Sequence, residues 1–328
     1  MQTLSQILSQ IQKYSDNQPI IREPIGLYEP IQYILQLGGK KLRPALVLMS
    51  YNLFDDDVQV ALPAGFAIEV FHNFTLMHDD IMDNAPLRRG MPTVHEKYNV
   101  NTGILSGDAM LILAYEYLVN MSADAKSVAK IIKVFNKCAT EVCEGQQFDI
   151  NFEKRNNVTI SEYLKMIELK TSVLLAAALE IGAILAKSSE KDAKNLYEFG
   201  RNIGIAFQLQ DDILDTFGNP DTFGKKVGGD IIQNKKTFLY LKSLEIAKEK
   251  QKNELLQWYN TETVLDMEQK KINAIKEIFL ENGVVQIANE LKNKYYESAM
   301  RNLEEVVVDA AKKQVLRSFA EELLHREV

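Results

Sequence analysis

The chain is poor in cysteine: Cys138 and Cys143 are the only two in 328 residues. They stand five residues apart in a stretch that predicts a helix, so their side chains point in different directions. They therefore match neither a metal site nor a disulfide framework. We expect two buried thiols in a reducing compartment, and hence a cytoplasmic protein.

The chain also lacks an excess of positive charge. Its 38 Lys and Arg residues are outnumbered by 45 Asp and Glu residues, which gives a formal net charge of −7. A nucleic-acid-binding protein needs a basic face, so this balance argues against that class. A local basic pocket remains compatible with it.

Targeting and membrane-spanning signals are missing as well. The first residues do not combine a basic segment with an apolar core, so no signal peptide is predicted. The longest apolar run, residues 173–186, is interrupted by Glu180 and is shorter than the roughly 20 residues that cross a bilayer. The sequence therefore predicts no transmembrane segment, and this run is expected to be a core helix.

No stretch alternates polar and apolar residues as strands do, and there is neither a low-complexity linker nor a fixed-period repeat. Apolar residues instead recur at helical spacing. The sequence predicts one all-α domain over residues 1–328, built from about ten or more helices. Helices are predicted at about residues 3–16, up to 37, from 44, 63–84, 101–120, 124–149, 160–186, 190–217 and from 231 onwards.

Two DDxxD motifs stand out, at residues 79–83 and 211–215. Residues four apart share a helix face, so Asp79 and Asp83 can present their carboxylates side by side, as can Asp211 and Asp215. Clustered carboxylates repel one another unless a cation or solvent neutralises them. Both motifs lie in apolar surroundings, which disfavours an ordinary solvated face. Hard oxygen ligands suit Mg²⁺, which usually completes its shell with water and substrate phosphate.

Basic residues occur where an anionic ligand would need them. Residues 38–44 place three cations in a glycine-opened turn before a helix, a position that favours phosphate. A solvated basic turn is the alternative. Arg88 and Arg89 follow the first DDxxD motif, and arginine binds phosphate oxygens bidentately. Further cations are Lys170, Lys225, Lys226 and Lys235. Together these clusters point to substrates that carry diphosphate groups.

In this combination the motifs resemble the trans-isoprenyl diphosphate synthase (polyprenyl synthetase) family, in particular its short-chain geranylgeranyl and farnesyl type. The resemblance rests on residues 38–44, 79–83, 88–90, 145–146, 170–171, 207–212 and 226–235. It implies an all-α fold with helices around a central active-site cavity, and a homodimer. It also implies a cytoplasmic prenyltransferase of isoprenoid biosynthesis.

The resemblance further implies a role for each matching residue. Asp79, Asp83 and Asp211 would ligate about three Mg²⁺ ions per active site, supported by Asp80, Asp212 and Asp215. Residues at the allylic diphosphate would be Arg88, Lys170, Thr171, Gln208, Lys226 and Lys235. Residues at isopentenyl diphosphate would be Lys40, Arg43, His72 and Arg89.

The implied reaction is a Mg²⁺-dependent head-to-tail condensation of isopentenyl diphosphate with an allylic prenyl diphosphate. Neutralising the leaving diphosphate promotes ionisation to an allylic cation, which the double bond of isopentenyl diphosphate attacks. By resemblance, Phe74 five residues before the first motif, with Phe71 behind it, would form a floor that limits the all-trans product. We expect a geranylgeranyl product, with farnesyl as the shorter possibility.

Two other functions fit part of the pattern. A class I terpene cyclase also uses an aspartate-rich helix in an all-α fold, but it binds one diphosphate, and the basic turn at residues 38–44 argues for two. A non-catalytic partner subunit of a prenyl synthase would be expected to lose aspartates or the basic turn, and this chain keeps both. A chain-elongating synthase is therefore the favoured interpretation.

Overall fold

A computed structural model describes residues 2–219, 227–261 and 265–324. Its regular structure is almost entirely helical, which confirms the predicted all-α class. The α-helices are α1 Leu4–Asp16, α2 Ile25–Gln36, α3 Leu42–Asn52, α4 Leu62–Met82, α5 Val94–Lys97, α6 Val100–Val119, α7 Ala125–Glu153, α8 Ile160–Ile167, α9 Val173–Leu185, α10 Glu190–Phe217, α11 Gly229–Ile232, α12 Phe238–Ile246, α13 Glu249–Asn260, α14 Glu268–Glu281, α15 Val284–Glu304 and α16 Ala310–Leu324.

Other regular elements are short. Val58–Ala61 and Leu265–Met267 form 3₁₀ turns, and Glu168–Ser172 forms a π-helical turn between α8 and α9. In the described part of the chain, the strands are β1 Leu87–Arg88 and β2 Met91–Pro92, an antiparallel pair. From the sequence we expected no strand and an unbroken helix over residues 160–186, so both details are corrections.

Helix starts follow from local chemistry. Thr3 caps α1 and Thr159 caps α8, each in a capping box with the Gln or Glu three residues later. The Asn99 side chain accepts the Thr102 N–H at 2.8 Å at the start of α6. These contacts place the starts of three helices close to the predicted positions.

The described chain divides into two compact units, each made of three separate segments. The first comprises Met1–Asn136, Ala177–Tyr197 and Val307–Val315, and the second comprises Lys137–Ala176, Glu198–Val306 and Leu316–Val328. The single domain expected for residues 1–328 stays a prediction.

The first unit is organised around α4, which packs against α3 and α6. Because α4 is apolar on all sides through most of its length, it is buried there rather than amphipathic. The Phe66 ring makes edge contacts with Tyr14 and Tyr117 at 5.9 and 4.8 Å. On α9, a Cβ at Gly182 would lie 2.2 Å from the Val47 carbonyl oxygen, so glycine allows this close helix approach.

The second unit has its own core around α10. Ile205, Leu209 and Ile213, one turn apart on α10, are each at most 1% exposed and belong to one apolar cluster. Tyr240 and Tyr259 stack within this cluster with ring centroids 3.8 Å apart. Burial raises the pKa of Tyr240 to about 12, so both rings act here as neutral packing groups.

In the part of the chain that the structure describes, two helical stretches are long and apolar enough to cross a membrane by length and composition alone, Val58–Met82 and Val100–Val119. In the first, 67% of the most apolar window is buried inside the protein; in the second, 39% is. The first stretch therefore behaves as a core helix. The second is α6, which keeps an exposed face that carries apolar side chains.

The two cysteines differ in their surroundings. Cys138 is buried and Cys143 is exposed, although both lie on α7. The expectation of two buried thiols is therefore wrong for Cys143. Five residues separate the two positions, so they lie on different sides of the helix.

Candidate active site

The first DDxxD motif ends α4. Asp79 and Asp80 lie in its last turn and Asp83 is the C-cap residue, whose N–H donates to the Asp79 carbonyl oxygen at 2.8 Å. Asp80 is 2% exposed, Asp79 is half-buried and Asp83 is exposed. The motif thus turns one carboxylate into the protein and leaves two that solvent can reach.

The buried carboxylate is paired with Arg88. The Arg88 Nε lies 2.7 Å from Asp80 Oδ2, and one terminal nitrogen lies 2.6 Å from Oδ1, which is a bidentate geometry. The β1–β2 turn brings Arg88 back to α4. Guanidinium has five N–H donors, so this pairing leaves others for a further anion. Asp80 is placed to support the motif by orienting Arg88.

The predicted isopentenyl diphosphate residues also converge in the first unit. An Arg43 terminal nitrogen lies 3.0 Å from His72 Nε2. Guanidinium can only donate, so Nε2 is the acceptor and Nδ1 carries the proton. Burial and the neighbouring Arg43 charge hold the pKa of His72 well below its ordinary value. The imidazole is therefore neutral at neutral pH.

Arg89 joins this group through a glycine. A Cβ at Gly39 would lie 2.7 Å from the Arg89 Cζ, and Gly39 has a φ of +130°, so a side chain is excluded on two counts. Burial lowers the pKa of Arg89 from its ordinary value. Lys40, next in sequence, is exposed. The turn at residues 38–44 and the Arg88–Arg89 pair, separate in sequence, are thus neighbours in the fold.

The predicted chain-length residues lie on α4 with the motif. Phe71 is 1% exposed, and its ring lies 5.7 Å from Phe74 and 5.1 Å from Phe135. Phe74 is half-buried and contacts His78 at 4.8 Å between ring centroids. His78 Nε2 lies 3.1 Å from the Ile104 carbonyl oxygen, consistent with a structural histidine.

In the second unit, the second DDxxD motif lies on α10. Asp212 is 3% exposed and accepts hydrogen bonds from the Tyr163 hydroxyl and, at 3.4 Å, from the Gln208 amide. Burial raises the pKa of Asp212 well above its ordinary value, and the nearby Asp230 charge adds to the rise. Asp211, by contrast, is half-buried. Asp215 is also buried, at 8% exposed, so this motif turns two carboxylates inward and leaves Asp211 as the more accessible one.

Asp215 holds the segment that follows the motif. Its backbone oxygen accepts the Gly228 N–H at 2.6 Å, and its carboxylate accepts the Asp230 N–H at 3.0 Å. Lys235 Nζ lies 3.6 Å from the Asp230 carboxylate. Asp215 therefore holds the backbone of Gly228 and Asp230 against the end of α10. Lys225 and Lys226 lie outside the described residues.

The π-helical turn carries Lys170 and Thr171. Lys170 Nζ lies 2.6 Å from Asp149 Oδ2, and the Thr171 hydroxyl lies 3.4 Å from Gln208 Oε1. Sequence reasoning missed Asp149. A lysine in an otherwise apolar helix needs a partner, but sequence spacing does not reveal that a carboxylate 21 residues earlier supplies it.

The carboxylates fit a metal that is shared with its substrate. Among residues 2–219, 227–261 and 265–324, no three Asp, Glu, His or Cys side chains converge into a complete metal site. Asp79 and Asp83 offer oxygen donors one turn apart, accessible to solvent. Mg²⁺ prefers such oxygen ligands, and it commonly takes one or two carboxylates with water and phosphate completing the shell.

The chain is similar in sequence to proteins of one known family. The polyprenyl synthetase family model matches residues 25–279. The chain is 44% identical to a geranylgeranyl diphosphate synthase of Methanosarcina mazei over 69% of this chain and 70% of that protein. It is 37% identical to a geranylgeranyl pyrophosphate synthase of Geoglobus acetivorans over 93% and 92%.

Solved structures agree in fold. A crystal structure of a geranylgeranyl pyrophosphate synthase superposes with a TM-score of 0.95 at 45% identity and covers 100% of both chains. The geranylgeranyl pyrophosphate synthetase from Pyrococcus horikoshii superposes with a TM-score of 0.90 at 33% identity, and the match covers 99% of this chain and 98% of that chain. The family model spans the helices that carry both aspartate motifs and the basic residues around them. This chain belongs to the polyprenyl synthetase family.

Proposed function

We propose that this protein is a prenyltransferase that condenses isopentenyl diphosphate head-to-tail with an allylic prenyl diphosphate, giving a short-chain all-trans prenyl diphosphate. One observation carries the proposal: solvent-accessible Asp79 and Asp83 end the same helix that holds His72 against Arg43. The relatives named above as geranylgeranyl diphosphate synthases support it. Residues 1–328 would form one cytoplasmic polyprenyl synthetase domain.

The family uses divalent metal ions, and we assign Mg²⁺ here. Asp79, Asp83 and Asp211 would hold about three ions per active site. When bound, Mg²⁺ neutralises negative charge on the allylic diphosphate. Asp80 keeps Arg88 oriented, while Asp212 and Asp215 hold α10 to its neighbours.

The chain's cations would stabilise the leaving group. As the C–O bond of the allylic diphosphate breaks, its electron pair moves to the diphosphate oxygen, where Arg88, Lys170, Lys226 and Lys235 would balance the new charge. Thr171 and Gln208 would lie at the allylic end. An apolar lining of the site would exclude water, which would otherwise capture the cation.

Isopentenyl diphosphate would be held by Lys40, Arg43, His72 and Arg89. Because Arg43 occupies His72 Nε2, the proton on Nδ1 is available to a phosphate oxygen. The double bond of the bound isopentenyl group then forms a C–C bond to the allylic cation. A proton leaves the adjacent carbon, with the released diphosphate as its acceptor.

The function is tested by incubating the protein with isopentenyl diphosphate, an allylic primer and Mg²⁺. We expect longer prenyl diphosphates and one diphosphate released per condensation, and no product when a chelator removes Mg²⁺. Diphosphate release with a cyclic hydrocarbon would instead identify a terpene cyclase. No turnover with any primer would identify a non-catalytic subunit.

A second prediction concerns the carboxylates. Asp79→Ala and Asp211→Ala should each lower turnover by roughly 10²-fold or more, because each removes an aligned ligand for the cation that stabilises the leaving group. Turnover and the Mg²⁺ concentration for half-maximal rate should be measured together. Asp16→Ala, an exposed aspartate at the end of α1, is the control. A motif variant that keeps more than about a tenth of the wild-type rate contradicts the assignment.

Product length should depend on Phe74. Its half-buried ring lies over buried Phe71 on α4, which fits a floor that ends chain growth. We propose a geranylgeranyl product, with farnesyl as the shorter possibility. Phe74→Ala should shift the products to longer chains, measured by chromatography after dephosphorylation. Phe54→Ala removes a half-buried ring elsewhere in the first unit and serves as the control. An unchanged product distribution would place the floor at other residues.

The exposed face of α6 fits a homodimer. Leu105, Ile112 and Val119 are 61%, 66% and 57% exposed, and their seven-residue spacing puts them on one stripe. Other residues of α6 pack against α4. A line of exposed apolar side chains marks an association surface. The family resemblance supports a second copy of this chain as the partner that would cover it.

Ile112→Asp should therefore convert the dimer to a monomer, because it places a charge in the middle of the apolar stripe. Sedimentation velocity measures the change. Ile246→Asp makes the same substitution at an exposed position at the end of α12 and should leave the dimer intact. Dimerisation that survives Ile112→Asp would assign the interface to another surface.

A further inference from the structure

The π-helical turn Glu168–Ser172 lies between the parts of α7 and α10 that belong to the second unit. The Val173 N–H donates to the Glu168 carbonyl oxygen five residues earlier, which is the π pattern. Such turns are rare and occur often at functional sites, because the extra residue shifts side chains from their regular helical direction. Here the turn contains Lys170 and Thr171. The contacts that hold this turn in place therefore affect the positions of Lys170 and Thr171 in the reaction.

On one side, α7 approaches the turn at a glycine. A Cβ at Gly145 would lie 2.3 Å from the Lys170 backbone nitrogen and 2.7 Å from its Cα. These are backbone atoms, so no rotamer change could relieve the clash. Four residues later on α7, Asp149 accepts the Lys170 ammonium at 2.6 Å, with both side chains little more than a quarter exposed. Positions four apart share a helix face.

On the other side, α10 repeats the arrangement. A Cβ at Gly204 would lie 2.6 Å from the Ser172 Cα. Four residues later, Gln208 accepts the Thr171 hydroxyl at 3.4 Å. Each flanking helix thus supplies a glycine that admits the turn's backbone and, one turn on, a polar side chain that binds one of its two functional residues.

We propose that the pairs Gly145–Asp149 and Gly204–Gln208 form a two-sided cradle that positions Lys170 and Thr171 for the allylic diphosphate. Gly145, Asp149 and Gly204 act as positioning residues through the turn. The inference rests on the proposed prenyltransferase function. The close approach at Gly182 lacks this pairing with a substrate residue, because Gly182 approaches Val47 and Ser50 in the first unit, neither of which has a proposed substrate role.

The cradle gives a measurable signature. Real Cβ atoms essentially never approach another heavy atom within 3.0 Å, and the added Cβ would lie at 2.3 Å in Gly145→Ala and at 2.6 Å in Gly204→Ala, so either variant must displace the turn. Misplacing a reacting group by about 1 Å costs on the order of 10²-fold in rate. We expect kcat to fall about 10- to 100-fold in each variant. The KM for isopentenyl diphosphate should stay within about twofold, because its residues lie on other elements.

Gly182→Ala is the matched control. It creates an equally close clash, 2.2 Å from the Val47 carbonyl oxygen, away from the turn. It should lower the melting temperature while kcat per folded molecule stays near wild type. Gly26→Ala, with no atom within 4 Å of the added Cβ, should change neither quantity. If Gly182→Ala lowers kcat as much as Gly145→Ala does, the loss reflects disturbed packing in general rather than a displaced turn, and the proposal is overturned.

Double-mutant cycles separate positioning from stability. If Gly145 acts through Lys170, Gly145→Ala should cost less than about twofold further in a Lys170→Met background, because the displaced group is already gone. Multiplicative losses would overturn the proposal. Asp149→Asn, which keeps the side-chain shape and adds no clash, covers the case in which the glycine variants do not fold. It should lower kcat, and wild-type kcat in Asp149→Asn overturns the proposal.

The wild-type assay separates this inference from the proposed function. If the wild-type protein does not elongate the allylic primer to a longer prenyl diphosphate, the proposed function itself is refuted. A wild-type protein that is active, with glycine variants that fold and match its kcat, refutes the cradle alone.

Discussion

Charges of the same sign held close together are the constraint that shapes this molecule. Three carboxylates meet at each DDxxD motif, and Arg43, Arg88 and Arg89 lie near one another in the first unit. In each aspartate motif the middle residue is turned inward and given a partner: Asp80 takes Arg88, and Asp212 takes Tyr163 and Gln208. Among the arginines, His72 stays neutral. The residues left at the accessible end, such as Asp79 and Asp83, are those suited to a cation.

Sequence reasoning succeeded where local chemistry decides. Glycines 38 and 39 end α2, capping boxes start α1 and α8, and the apolar pattern gives α4 and α10 within a few residues. The all-α class and the family are confirmed. Periodicity alone could not reveal the π-helical turn, because one extra residue barely changes an apolar pattern. The β1–β2 pair is two residues long on each side, too short for alternation to show.

In the candidate site, too, local sequence predicted some features, whereas others depend on contacts between distant residues. Residue types and motif spacing predicted the aspartates and the basic clusters, and the structure brings Arg43, His72 and Arg89 into one group. The pairing of Asp80 with Arg88 could not be foreseen, because it depends on a turn that reverses the chain. Asp149 was missed for a related reason: its partner Lys170 lies on another helix. The individual substrate contacts stay predictions.

Segments of the two units alternate along the sequence, and this order has a consequence for synthesis on the ribosome. Domains generally fold as units, with N-terminal ones folding first as the chain emerges. Here the first unit needs Val307–Val315 and the second needs the segment that begins at Leu316, so neither has all its segments before those residues have been translated. Neither unit corresponds to one uninterrupted stretch of the gene, and a truncated chain would lack part of at least one core. Each unit is therefore expected to complete its fold only after its last segment has been synthesised.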